Sequence, residues 1–288
     1  MIPLILSICS STIIFVIFKL FKLFKIDTFQ AIVFNYFTAA AIGLGLYSSE
    51  WQVGSLENTQ SLYFSILCAF LFIGLFFIMA KSSQVNGVAS TSIAVKMSMS
   101  ISLLLMLIGY SEDLSLLKIT GITLAFIGVF LVSSPSEKDK AGASWMLLLL
   151  FIGSGALDFL LNFIQKNVLG SMTPAIFTSV GLGSAGIIGS IILIIRLIQK
   201  KTKIQFKNIL AGIVLGIPNY FSIYLLLLSY RTTGWNDSTV LAITNVSVVL
   251  FSAIIGFIIF KETKTTKKII GLITAILAIT TLYIATCK

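Results

Sequence analysis

The sequence predicts an all-α membrane protein of ten transmembrane helices, built as two inverted five-helix repeats. Three observations carry this. Hydrophobic residues make up 57% of the 288 and charged residues 10%, with a mean hydropathy of +1.06, whereas a soluble domain holds about 25% charged residues. The apolar residues fall into ten long unalternating runs, and only helices or closed barrels satisfy a backbone in lipid. The two halves of the chain also resemble each other.

The runs are residues 3–18, 28–47, 61–80, 88–109, 115–133, 144–165, 174–195, 208–230, 238–260 and 268–286. The first extends towards the KLFKLFK that follows. It carries no charged leader region and no clear small-residue cleavage site, which marks it as a retained helix. The most hydrophilic linker, 134–143 (SPSEKDKAGA), lies near the midpoint. It divides the chain into a first repeat, 1–133, and a second, 144–288.

Three matches support the repeat. FFIMAKSSQVNGVAST (76–91) aligns with YLLLLSYRTTGWNDST (224–239) at an offset of 148. Glu112 and Glu262 follow the fourth helix of each half, each with a glycine nine residues on (Gly121 and Gly271), at an offset of 150. Lys19 and Lys166 follow the first helix of each half, 147 apart. Three matches in one order at nearly one offset are the mark of an internal repeat. An odd number of helices per repeat then inserts the second half upside down, as in many secondary transporters.

Charge gives orientation. Fifteen of the twenty basic residues sit in loops after odd-numbered segments, four lie on the other side, and Lys96 is inside a segment. The positive-inside bias places the odd loops in the cytoplasm and both termini outside. The net charge of +10 thus reflects orientation in the bilayer and not a nucleic-acid surface. There is no histidine, and Cys9, Cys68 and Cys287 are far apart, so neither a metal site nor a disulfide framework is expected. No motif asks for a cofactor. Trp51, Trp145 and Trp235 sit at segment edges, where interfacial tryptophans belong.

The strongest functional signal is Lys96, the ninth residue of VASTSIAVKMSMSISLLLMLIG (88–109). A lysine that deep costs at least about 2.5–3.5 kcal/mol on insertion scales. Ser92 and Ser100, one turn to either side, complete a polar stripe that faces protein or a water-filled cavity. Asp158 in the sixth segment shares a face with Ser154 and Asn162. It is expected to act as a proton relay or as counter-charge to a cationic group, unless it is a structural partner of Lys96. Helical rise sets Lys96 about 12 Å and Asp158 about 21 Å from the starts of their segments, which makes direct pairing awkward.

The eighth segment carries Gly216, Pro218, Asn219, Tyr220 and Tyr224. A Gly/Pro-interrupted helix near a repeat interface points to a binding site, and the two tyrosines share a face. A packing kink would give the same pattern. Asn245 of the ninth segment matches the Lys96 helix by pseudo-symmetry and is a candidate ligand. Asn35 reads as structural and Tyr36 as packing. Gly181, Gly183, Gly186 and Gly189 of the seventh segment read as close helix packing. Glu112 and Glu262 border water and are expected to fix loop structure.

The element from Ala80 to Ser90 (AKSSQVNGVAS), the glutamates after helices four and nine, and the Gly-centred closing helices KITGITLAFIGVFLV and KIIGLITAILAI together resemble the drug/metabolite transporter superfamily, in its ten-helix EamA-type branch. The resemblance spans essentially the whole chain. One departure is the proline often seen in helices four and nine of such chains: Ser100/Ile101 and Leu250/Phe251 stand in that region. The resemblance implies a secondary transporter in the cytoplasmic membrane, moving an amino acid-like, nucleoside-like or drug-like metabolite by alternating access. Lys96 would then meet an anionic substrate group, and Asp158 a cation or a coupling proton. An intramembrane enzyme would need a catalytic cluster that one buried carboxylate cannot assemble. A channel would call for repeated polar rings, which are missing.

Overall fold

A computed structural model describes residues 1–46, 59–110, 115–133, 144–167, 173–234, 237–262 and 264–286. Among them every regular element is an α-helix. They are α1 (Ile2–Leu23), α2 (Thr28–Leu46), α3 (Thr59–Val85), α4 (Val88–Met97), α5 (Met99–Tyr110), α6 (Leu116–Ser133), α7 (Ser144–Asn167), α8 (Pro174–Ile198), α9 (Phe206–Thr232), α10 (Asp237–Ile258) and α11 (Thr266–Thr286). Each of the ten apolar runs is helical, and the first does continue through KLFKL. One expectation is corrected: the fourth run is two helices, α4 and α5, interrupted at Ser98. The linker 134–143, Glu112, Trp51 and Trp235 lie outside the described residues.

Among the described residues, seven helices (α1, α2, α3, α7, α8, α9 and α11) are long and apolar enough to cross a membrane. Shorter apolar stretches run through α6 (Leu116–Leu131) and α10 (Ile243–Ile258). Large apolar side chains also cover the outside. Phe70, Phe130, Ile152, Ile191, Phe251 and Leu277 are all exposed, a belt that only lipid or a partner would tolerate. The chain is thus a multi-pass membrane protein in its physical character. Trp145 is exposed at the start of α7, as an interfacial anchor should be.

Helices α6 and α11 pack on each other, as do α2 and α8 and also α4 and α10. α9 lies against α1 and α2, and α7 against α3, α4 and α5. The α6–α11 contact is close: a Cβ on Gly128 would lie 3.3 Å from the Gly271 carbonyl oxygen. On α9, Gly212 and Gly216 bring its backbone onto α2. A Cβ at Gly212 would stand 2.6 Å from the Ala31 carbonyl oxygen, and one at Gly216 2.9 Å from that of Asn35. The α8 glycines Gly186 and Gly189 face Phe37 and Val33 of α2, the packing role expected of them. An aromatic cluster joins α1, α2 and α3: Phe18 and Phe76 meet edge to face at 4.9 Å, and Tyr36 tilts over Phe76 at 5.7 Å.

Loops that follow the first, third, seventh and ninth runs meet at one end of the bundle. Lys22 Nζ donates to the Gln84 carbonyl (3.3 Å), and Lys207 Nζ to that of Lys25 (3.0 Å). At the same end Glu262, just past α10, closes the N-terminus of α4. Its Oε1 accepts from Val88 N–H at 2.6 Å and its Oε2 from Ala89 N–H at 3.4 Å, while Lys19 Nζ lies 3.5 Å from Oε1. The first amides of a helix lack intrahelical partners and carry its positive dipole end, so a carboxylate there is stabilising. The cap residue is Gly87, with φ +97°. It has no side chain to cap with, and a Cβ would stand 2.5 Å from Glu262 Oε2. Glycine is required there for the backbone angle and for the space.

Glu262→Gln keeps the shape and removes the charge. It should destabilise the protein by about 1–3 kcal/mol, seen as a lower midpoint in thermal or SDS unfolding. Lys19→Met should cost less, under about 1 kcal/mol, because its partner keeps both amides. Equal losses would mean that the ion pair, and not the helix cap, is what matters.

Candidate functional site

The break at Ser98 sits two residues past Lys96. Ser98 keeps near-helical angles (φ −54°, ψ −21°), so this is an interruption without a reversal. Its hydroxyl has two acceptors within reach, the Val95 carbonyl at 2.6 Å and Asp158 Oδ2 at 3.2 Å. A serine hydroxyl turned back on its own helix weakens and bends it. Met99 and Ser100 start the next helix. Lys96 is half-buried in the last turn of α4. A cation there complements the negative end of the α4 dipole.

Asp158 reaches this hinge from α7, and Gly155 makes the approach feasible. A Cβ on Gly155 would stand 2.7 Å from the Ser98 carbonyl oxygen and 2.5 Å from Ile101 Cβ. The two backbones are therefore nearly in contact one turn before the carboxylate. Lys96 and Asp158 stand on packed helices, α4 and α7. Among the described residues, however, the lone ion pair within 4 Å is Lys19 with Glu262. Asp158 touches the hinge and is still exposed.

From the other side α10 brings Asn245 to the hinge. It is buried, and its Nδ2 lies 3.4 Å from Met99 Sδ. Lys96, Ser98, Asp158 and Asn245 thus converge on one interruption from α4, α7 and α10. Ser92 and Ser100 are buried in the same region, and their hydroxyls donate to the Ala89 and Met97 carbonyls at 2.9 and 2.8 Å. The side chain of Asn162 lies outside the described residues.

The α9 candidates form a second group. Pro218 lies inside the helix, and Asn219 beside it is buried with no partner for Nδ2. Tyr220 is buried and stacked on Tyr224, centroids 5.9 Å apart and planes at 13°. Tyr220 fills the α2–α8 junction, since a Cβ on Gly43 would meet both its ring and the Ser179 hydroxyl. Across on α2, the amide of Asn35 and the hydroxyl of Tyr36 are buried without hydrogen-bond partners. Sequence reasoning treated these two as structural and packing groups. It missed Ser98 altogether, although the alternating run MSMSIS (97–102) around it was the available signal. No group of three or more metal-ligating side chains occurs among the described residues.

Gly155→Ala drives a methyl group into the Ser98 carbonyl and the Ile101 side chain. The expected loss is about 1–3 kcal/mol of stability. Gly74→Ala on α3, where a Cβ meets nothing within 4 Å, should be neutral or stabilising by up to about 1 kcal/mol from helix propensity. Parallel thermal melts of the two variants in detergent check both expectations.

No family model matches the chain. An uncharacterized protein of Haemophilus influenzae is 27% identical over 264 residues, which cover 88% of this chain and 88% of that protein. A solved crystal structure is similar with a TM-score of 0.62 at 10% identity, over 98% of this chain and 99% of its own. That likeness is one of fold.

Proposed function

We propose that this protein is a secondary transporter of the drug/metabolite transporter type, moving a small organic metabolite across the cytoplasmic membrane by alternating access. The observation that carries the proposal is the interrupted span at Ser98, with Lys96, Asp158 and Asn245 gathered on it and Asp158 exposed beside it, which we read as the wall of a water-accessible cleft. Interrupted helices that present polar groups within the membrane are the recurrent form of a transporter site. On this reading α4 and α5 together make one span, and α6 and α10 complete a set of ten. Two five-helix repeats related by an in-plane axis would pair equivalent helices, and the contacts of α6 with α11, α2 with α8 and α4 with α10 support that relation. The basic end of the bundle lies in the cytoplasm and both termini lie outside.

Lys96 and Asp158 give the cleft one positive and one negative pole without a direct ion pair. A ligand with an anionic group and a cationic group, as in an amino acid, satisfies both. A substrate with an anionic group alone would leave Asp158 to a coupling proton. Burial of Lys96 is then offset by ligand or water, as intramembrane charges in transporters are.

The test is Lys96→Met, which keeps the stem volume roughly. If the lysine serves substrate, the variant inserts and melts at least as well as wild type but loses saturable counterflow in proteoliposomes loaded with amino acids or nucleosides. A lysine that only supported the fold would leave a lone carboxylate when removed, at a cost of about 3–5 kcal/mol. Asp158→Asn would then restore stability and transport together. Wild-type counterflow by a well-folded Lys96→Met protein, or rescue by the double variant, contradicts the proposal.

A further inference from the structure

Far from the hinge, at the basic end of the bundle, the α1–α2 turn, α2, α3 and the α8–α9 loop enclose an open cavity of about 720 Å³. Lys25, Lys81, Arg196 and Lys207 line it, together with Lys200, Lys201 and Lys203 of the α8–α9 loop. Asp27 is the lone acidic residue of the lining, and its carboxylate is already committed. Oδ1 accepts from Phe29 and Gln30 N–H at 3.0 and 3.2 Å, and Oδ2 from the Thr202 hydroxyl at 3.1 Å. None of the seven cations lies within 4 Å of a carboxylate among the described residues.

The walls are fixed by a buried polar network. Gln30 Nε2 donates to Thr202 Oγ1 (2.6 Å) and to the Lys203 carbonyl (3.0 Å), and Asn208 Nδ2 donates to Gln30 Oε1 (2.9 Å). The Asp27 amide donates to Asn208 Oδ1 at 3.0 Å. The α8–α9 loop is thereby held against α2, and its lysines cannot disperse freely to relieve their repulsion. Two of the lining lysines occupy left-handed backbone positions, Lys25 at φ 50° and Lys200 at φ 55°. Each closes a helix where glycine is usual, and a side chain there carries a steric penalty. The α9 N-terminus opens beside the cavity with no side-chain cap on Gln205, which adds the positive end of a helix dipole.

Orientation in the membrane asks only for basic residues in short loops. It does not ask that seven of them converge on one hydrogen-bonded concavity. We infer that this cavity binds a ligand carrying two phosphate groups. Phosphates match the mixture of an arginine fork, several ammonium groups and the positive end of the α9 dipole. Apolar side chains flank the basic loop: Ile198, Ile204 and Phe206 are 76%, 52% and 71% exposed. Acyl chains would lie on these while the headgroup enters the cavity, which favours a diphosphate lipid headgroup over a free diphosphate. Basic pockets between membrane helices hold such headgroups elsewhere.

Thermal unfolding in uncharged detergent tests this, with cardiolipin, phosphatidylglycerol at matched phosphate, phosphatidylcholine and inorganic pyrophosphate as probes. Cardiolipin should raise the melting temperature of the wild-type protein at a concentration about tenfold below that needed for phosphatidylglycerol, and phosphatidylcholine should do nothing. In Arg196→Gln/Lys203→Gln the half-saturating concentration should rise by about tenfold or more. Lys200→Gly should melt no lower than wild type without ligand, yet respond less to cardiolipin. A pyrophosphate shift that the double variant loses means that a free diphosphate also fills the site. Its absence, with the cardiolipin shift present, assigns the site to the lipid. Equal responses in wild type and the double variant, phosphatidylglycerol matching cardiolipin at equal phosphate, or no shift with any probe would each overturn the inference. Because none of these residues touches the Ser98 hinge, the result stands apart from the transport proposal.

Discussion

The placement of α4 depends on the Glu262 carboxylate, and the candidate site depends on α4. This ten-residue helix is held at both ends by acids from the second half of the chain. Glu262 meets its first amides, and Asp158 meets Ser98 just beyond its last turn. Between these two contacts lies Lys96. A helix so short has little stability of its own, so its position is set from outside. The anchor from α10 and the anchor from α7 are on different helices. Any relative motion of the two would turn or shift α4 and move the ammonium group with it.

The helices were legible because a backbone in lipid has to satisfy itself locally, and hydropathy marks where that happens. Lys96 and Asp158 were legible for the same reason, as charges standing out against an apolar run. The interruption at Ser98 was not. Serine is compatible with a helix interior, and its effect here comes from an acceptor sixty residues away. Depth along a segment made direct pairing of Lys96 with Asp158 awkward, and no ion pair within 4 Å joins them among the described residues. Glu262 was read as a loop-fixing group. Its partners, Val88 and Ala89, are 174 and 173 residues distant, and only the folded bundle names them. The contact of Gly212 and Gly216 with α2 was not legible either, since their partners are the Ala31 and Asn35 carbonyls of a distant helix.

The polar groups divide into two regions with different demands. Those at the hinge include two charges, Lys96 and Asp158, and come from three helices. Those on α2 and α9 are neutral and mostly sealed. Asn35 and Tyr36 have buried polar atoms without partners, and each such group left dry costs about 1–3 kcal/mol. Close approach of α9 at Gly212 and Gly216 sets these groups beside a tight interhelical contact of α2. The two regions share no hydrogen bond among the described residues, which makes the hinge the place where ligand charge would be read.

Alternating access of the hinge cleft is the central claim, and cysteine accessibility measures it most directly. Cys9, Cys68 and Cys287 are replaced, and Ser154, one turn before Asp158 on the same face of α7, is changed to cysteine. A membrane-impermeant thiol reagent is then applied to right-side-out and to inverted vesicles. The account predicts labelling from both sides, with protection from each side by any solute that also shows counterflow. Labelling from one side only, or from neither, would contradict it.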